Sequence, residues 1–143
     1  MLASLGLLAA HHETHDAHSH AAHAAPRTPS AAGAQVYIIS PADGAEVSGP
    51  VTVRFGLRGM GVAPAGYPGE GTGHHHLIVD VDLPALDASI PTDDNHRHYG
   101  GGQTETTLEL APGPHTLQLL FADHNHVPHD PPLASQRITV HVK

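Results

Sequence analysis

The sequence predicts an all-β fold, a single immunoglobulin-like antiparallel β-sandwich of about seven strands with long loops that carry histidines. Fifteen Gly and 13 Pro in 143 residues indicate many turns, which suit short strands better than long helices. Apolar and polar residues alternate in several short runs, and a period of two is the pattern of a half-buried strand. Short strands at this spacing, without a convincing helix, are typical of two packed sheets.

Six runs of residues are the clearest strand candidates. In residues 51–57, Val51, Val53 and Phe55 fall on one face, as a strand with one buried side requires. Clusters of Gly, Pro and Asp bound the other runs, which are residues 36–39, 75–81, 104–110, 115–122 and 136–142. The segments between them predict long loops at residues 59–73, 84–102 and 123–135.

The first 34 residues differ in composition from the rest. Residues 1–10 (MLASLGLLAA) are typical of the apolar region of a truncated secretory signal, and a poorly packed N-terminus is the alternative. Residues 11–34 hold six His among Ala, Ser, Pro and acidic residues, a composition that cannot bury enough apolar surface to fold alone. We interpret them as a disordered leader that either scavenges metal or acts as a flexible spacer. The sandwich domain is then residues 35–143.

Charge and cysteine content narrow the classes of function. The formal net charge is −8 and Lys and Arg number only 6, so nucleic acid is not an expected partner. The chain has no Cys, which excludes disulfides, thiolate zinc sites and cysteine catalysis. No apolar run is long enough to cross a membrane. We expect a periplasmic or secreted protein, either a monomer or a weak dimer.

Histidine is the outlying residue type, because its 16 copies exceed Lys and Arg together. Three places in the predicted domain contain a His-x-His spacing, and in extended backbone such residues point to the same face. Each pair can therefore offer two imidazoles to one ion. Loops of a sandwich cluster at its two ends, so we expect the three places to converge. The pairs are His74 with His76, His96 with His98, and His124 with His126.

The predicted ion is Cu(II) or Zn(II), since imidazoles suit these metals better than Cu(I). Asp94 and Asp123 are candidates to orient an imidazole through its far nitrogen, or they cap turns. His75 faces away from its neighbours and is a weaker candidate. Six or more imidazoles exceed the four that a zinc site takes, so either two sites exist or some rings are not ligands. The predicted ligands are His74, His76, His96, His98, His124, His126 and His129.

Three segments carry a resemblance to a known family. They are GEGTGHHHLIVD, IPTDDNHRHYGGGQTETTLEL and PGPHTLQLLFADHNHVPHDPPLASQRITV, and they resemble the domain of unknown function 4399 family of small exported bacterial proteins. The resemblance covers about residues 36–143 and implies one exported domain without an assigned activity. The chain is similar only in part to periplasmic copper-binding β-sandwiches. Copper–zinc superoxide dismutase also carries His-x-His on a sandwich, but its disulfide is impossible here without Cys.

Three functions remain open from the sequence. The first is an exported protein that binds Cu(II) or Zn(II) and buffers, carries or delivers it. The second, less favoured, is a metal-dependent enzyme, hydrolytic or redox, with dismutase-like chemistry as its best form; no catalytic residue is singled out. The third is a cell-envelope adhesion or scaffold module whose histidines sense pH. Histidines that only form loop hydrogen bonds are the further alternative to a metal site.

Overall fold

The structure, a computed structural model, describes residues 25–143 and confirms the predicted all-β sandwich. Within that range, no helix has the length and apolar character needed to cross a membrane. The part of the chain described contains nine strands: β1 (Gln35–Ser40), β2 (Glu46–Val47), β3 (Val51–Arg58), β4 (Gly61–Val62), β5 (Thr72–Val79), β6 (His96–His98), β7 (Glu105–Leu108), β8 (Gly113–Ala122) and β9 (Ile138–Val142).

The strands form one sheet of three and one of six. The smaller sheet has the order β1-β3-β7 and is antiparallel throughout. The larger sheet has the order β2-β9-β8-β5-β4, and β6 also pairs with β5. The two-residue strands β2 and β4 pair in parallel with β9 and β5, so the larger sheet is mixed rather than purely antiparallel as expected.

Two of the extra strands lie in segments predicted to be loops. β4 falls within residues 59–73 and β6 within residues 84–102. Each has only two or three residues, which is too short for an alternating pattern to be recognised. Their pairing depends on β5, a partner distant in sequence, and so they become visible only in the folded chain.

The main core lies between the two sheets. Val53 and Phe55 of β3 face Leu77 of β5 and Phe121 of β8, and all four are at most 4% exposed. Burying a side chain of this size contributes about 1.5–3 kcal/mol. Because β5 alternates, Leu77 and its neighbours two residues away face this core, while the intervening side chains face the other side of the sheet.

A second apolar cluster covers that other side of the larger sheet. Ile78, Leu120 and Ala122 pack there against Ile90, which comes from the long segment between β5 and β6. This segment therefore folds over the sheet and buries a face that would otherwise meet solvent. His74 and His76 lie on this covered face, because they alternate in phase with Ile78 along β5.

Residues 25–34, the end of the predicted leader, run beside the loop that follows β8. Pro29 forms a parallel bridge with Asp130, and Ser30 N donates a 3.1 Å hydrogen bond to Asp130 O. Contacts of the sandwich therefore begin before the predicted boundary at residue 35. The predicted signal region and the six leader histidines lie outside the described residues.

Candidate metal centre

His74 and His76 form the base of the candidate site on β5. They are two residues apart and so project from the same face of the strand. Both are 0% exposed, because they lie opposite Ala122 and Leu120 of β8 and beneath the covering loops. The sequence pattern alone predicted this pair on a shared face, and the structure places it there.

Strand β6 contributes His98 to the candidate site, whereas its other histidine, His96, lies outside it. In the antiparallel pairing of β5 with β6, His98 lies directly opposite His76, whereas His96 lies opposite Ile78. Directly opposite residues project to the same side of a sheet with close Cβ atoms, so only His98 reaches the buried pair. The ring of His96 instead contacts Asp93, with 2.8 Å between Nδ1 and Oδ1.

The turn after β8 supplies His126. His126 N donates a 2.9 Å hydrogen bond to Asp123 O, and Asp123 Oδ1 accepts hydrogen bonds from the backbone N of Asn125 and Val127. His126 has a φ of 64°, a left-handed conformation that is uncommon for residues other than Gly. Such conformations persist where surrounding contacts fix them, and they occur often at functional sites.

Four ring nitrogens meet at this place. Nε2 of His74 lies 3.1 Å from Nε2 of His76, 3.2 Å from Nε2 of His98 and 3.0 Å from Nδ1 of His126. A neutral imidazole nitrogen is either one donor or one acceptor, so these three contacts of one atom cannot all be hydrogen bonds. Zn–N bonds of 2.0–2.1 Å in a tetrahedral site separate the nitrogens by about 3.3–3.4 Å, which is close to the three distances from His74, and all four nitrogens lie within 4.8 Å of one another. The group could therefore hold a metal ion.

Burial keeps the inner rings neutral. Burial, followed by the neighbouring imidazoles, lowers the pKa of His74 to about 4 and that of His76 to about 2. Burial also lowers the pKa of His98, with His126 adding to the effect. Neutral imidazole is the form that binds metal, so protons compete only weakly for the site at neutral pH.

The other predicted ligands lie around the group rather than in it. Nε2 of His124 is 3.1 Å from Nδ2 of Asn125. His129 is 1% exposed, stacks on Phe121, and has Nε2 3.2 Å from Thr72 O. His129 is thus packed against β5 and β8, and the ring of His124 contacts its neighbour Asn125 rather than the four rings.

The two predicted orienting carboxylates do not contact the four rings. Asp123 caps the turn after β8, the alternative role that the sequence left open. Asp94 accepts a hydrogen bond from Arg97 Nε through its backbone oxygen. Among residues 25–143, Nδ1 of His74 and Nδ1 of His76 have no hydrogen-bond partner, so packing rather than a carboxylate orients these two rings.

His75 faces the main core, as its position between two outward-facing residues predicted. Its ring lies 5.1 Å from the rings of both Phe55 and Phe121. Neither of its nitrogens has a hydrogen-bond partner in the described part of the chain, and burial lowers its pKa to about 4. His75 is therefore a neutral core residue whose polar atoms are unsatisfied.

Gly73 is a residue to which sequence reasoning gave no role, although a Gly inside a strand often marks a close backbone approach. A Cβ at this position would collide with Ala122 O and would lie 2.7 Å from Phe121 Cε1 and 2.9 Å from His129 Cε1. Only Gly lets β5 and β8 approach closely beside the histidines.

Replacing Gly73 by Ala is expected to destabilise the protein by about 1–3 kcal/mol, the usual effect of overpacking a tight interior. The backbone of β8 has to move away, because an Ala122 carbonyl cannot rotate aside like a flexible side chain. Urea unfolding of the Gly73→Ala chain measures this loss. Gly66→Ala is an unsuitable control because its φ is 85°, whereas Gly61→Ala places a Cβ at an ordinary 3.6 Å from its nearest neighbour. Equal stability of Gly73→Ala and wild type would contradict the prediction.

The comparisons with known proteins bear on this site through one family. Residues 53–143 match the family described as Domain of unknown function (DUF4399). The matched region contains all four histidines of the group. No curated protein and no solved structure matches the chain.

Proposed function

Because the chain belongs to the family described as Domain of unknown function (DUF4399), which names no activity, we propose a function from the site itself. The protein binds one Zn(II) or Cu(II) ion on His74, His76, His98 and His126, and it buffers or delivers that ion outside the cytoplasm. One observation carries the proposal: a single buried nitrogen, Nε2 of His74, lies 3.0–3.2 Å from three other ring nitrogens. A bound cation explains that arrangement, since hydrogen bonding cannot satisfy all three contacts.

The donor set supports a divalent metal of intermediate softness. All four donors are imidazoles, and the chain has no Cys. Imidazole suits Zn(II) and Cu(II), whereas Cu(I) prefers thiolate and thioether ligands. His98 and His126 are partly exposed while the other two rings are buried, which gives the ion a route between solvent and the site.

The donor count favours binding over catalysis. Four protein ligands complete a tetrahedral zinc site, whereas catalytic zinc keeps one position open for water. A hydrolytic site also needs a nearby base, and within residues 25–143 the group includes no carboxylate. Carriage or buffering is therefore preferred to metal-dependent hydrolysis.

Two matched pairs of variants test the proposal. The background is the full-length chain with six leader histidines changed to Asn, which we call the leader-silent chain; they are His11, His12, His15, His18, His20 and His23. We expect it to bind one Zn(II) or Cu(II), measured by metal-content mass spectrometry and competition with a chelator. His98→Ala and His126→Ala should weaken binding by at least about 100-fold, since even groups behind the ligands account for 10–100-fold.

The matched controls are His96→Ala and His124→Ala. Each removes the other member of the same His-x-His pair, two residues away, and should leave stoichiometry and affinity unchanged. No binding by the leader-silent chain would refute the proposal. Equal losses in all four variants would show that the four-ring group is not the site.

A further inference from the structure

The segment just before β1 ties together the loops that surround the metal centre. We call residues 25–31 the N-terminal strap. Ala25 N donates a 2.8 Å hydrogen bond to Asp87 O in the loop that covers the larger sheet. Arg27 Nε donates to Pro128 O at 3.3 Å, in the loop after β8. The strap therefore spans both loops that enclose the buried histidines.

Thr28 is the strap residue that reaches the turn carrying His126. Its Oγ1 donates a 3.1 Å hydrogen bond to Oδ2 of Asp123, a carboxylate that is 3% exposed. The other oxygen, Oδ1, accepts the backbone hydrogen bonds that form the turn. Thr28 thus fixes the rotation of the carboxylate on which the turn is built.

His126 is the ligand most sensitive to the shape of this turn. It contacts His74 through Nδ1, which is bonded directly to Cγ and so lies close to the backbone. Few side-chain rotations can compensate for a backbone shift at such an atom. The left-handed φ of 64° adds to the sensitivity, because this conformation persists only where its surroundings hold it.

Other contacts keep the turn folded without Thr28. Ile90 N donates a 2.8 Å hydrogen bond to His126 O, and Gly66 N donates a 3.1 Å hydrogen bond to His124 O. Loss of the Thr28 hydroxyl would therefore loosen the orientation of the turn rather than unfold it.

We propose that Thr28 is a positioning residue of the metal centre, which acts through Asp123 to hold Nδ1 of His126 in place as the fourth ligand. This inference rests on the proposed function. Hydrogen-bonding groups behind the ligands of a metal typically change its affinity by 10–100-fold. Thr28 lies in the part of the chain that the sequence predicted to be a disordered leader.

Cu(II) serves as the spectroscopic probe in the leader-silent chain. Wild-type Thr28 and Thr28→Ser, which keeps the hydroxyl, should both give the electron paramagnetic resonance spectrum of four nitrogen ligands. Thr28→Val removes the hydroxyl at nearly constant volume, and we expect one nitrogen to be replaced by water and the affinity to fall 10–100-fold. Ser30→Ala is the matched control, because its hydroxyl bonds to Pro131 O and not to the turn.

A double-mutant cycle separates positioning from general destabilisation. If Thr28 acts only through His126, Thr28→Val should have no further effect on affinity in a His126→Ala background. Equal losses in both backgrounds, or a wild-type spectrum for Thr28→Val, would overturn the inference while leaving the proposed function intact. Failure of the leader-silent chain itself to bind Cu(II) or Zn(II) would instead remove the proposed function, and this inference with it.

Discussion

Replacing His74 by Leu is expected to abolish metal binding and, in the same chain, to make the metal-free protein more stable. His74 is the centre of the group, because its Nε2 is the atom that all three other ligand nitrogens approach. Without His74, the three remaining ring nitrogens no longer share a contact with one central nitrogen. Affinity should fall by more than about 100-fold, since groups that only support ligands already account for 10–100-fold.

The gain in stability follows from the surroundings of the same ring. His74 is 0% exposed, and its Nδ1 has no partner among the described residues. Leaving a buried polar group unsatisfied costs about 1–3 kcal/mol, whereas Leu has a similar volume and no polar atom to satisfy. The substitution removes at most one hydrogen bond, because Nε2 of His74 can bond to only one of the three nitrogens that approach it, and it also removes the two close nitrogen contacts that are not hydrogen bonds. Urea unfolding of metal-free protein should therefore give His74→Leu a higher free energy of unfolding than wild type.

His141→Leu is the control for this pair of measurements. His141 is an exposed residue of β9, so its replacement should change neither metal affinity nor the free energy of unfolding by much. If the His74→Leu protein binds metal like wild type, His74 is not the central ligand of the group. A metal-free His74→Leu protein less stable than wild type would show that its ring makes favourable contacts in the absence of an ion.

The sequence predicted those features of the site that depend on local periodicity. Alternation along residues 72–79 places His74 and His76 together and turns His75 toward the core, because side chains of any strand alternate between faces. The same reasoning identified the sandwich and its main strands. It needed no knowledge of which strands are neighbours.

In each of the other two His-x-His pairs, tertiary structure determines which histidine joins the four-ring group. His98 rather than His96 joins the group because β6 pairs with β5 in a register that places His98 opposite His76. A shift of the register by two residues would have placed His96 there instead. His126 rather than His124 joins because the chain turns at Asp123 and His126 takes a left-handed φ. Neither register nor φ can be read from residue spacing.

The composition of the N-terminal strap did not predict that it is ordered. Residues 25–31 (APRTPSA) are rich in Ala and Pro, which in isolation favours a linker. Its order comes from backbone hydrogen bonds to the segment around Asp130, and these partners lie about a hundred residues away in the chain. Composition describes what a segment can do alone, and this segment is ordered by its neighbours.

The metal-free protein is expected to lose stability as the pH falls from about 6.5 toward 4. In the folded chain burial lowers the pKa of His75 to about 4, whereas in the unfolded chain it titrates near its ordinary value of about 6.5. Between these values the unfolded state binds the extra proton, so falling pH favours unfolding. The destabilisation that His75 causes is absent above about pH 6.5, grows below that pH, and is nearly complete at about pH 4. Urea unfolding at a series of pH values measures it.

His75→Leu should remove the share of this pH dependence that comes from the core. A shift of this size corresponds to about 3 kcal/mol at pH 4, and Leu fits between Phe55 and Phe121 without polar atoms to satisfy. The metal centre should be unaffected, because His75 faces away from it.

His115→Ala is the control, since its titration has the opposite sign. Its hydrogen bond with Asp80 raises the pKa of His115, so that contribution is present below about 6.5 and is lost as the pH rises through the raised value. Removing His115 should therefore lower the free energy of unfolding by a constant amount below about pH 6.5 and remove the pH dependence just above that value, while the slope between pH 6.5 and 4 stays as in wild type. An unchanged acid profile in His75→Leu would mean that His75 is not a neutral residue of the core. If His75→Leu also changes the metal affinity, the core-facing side of β5 influences the metal centre on its other side.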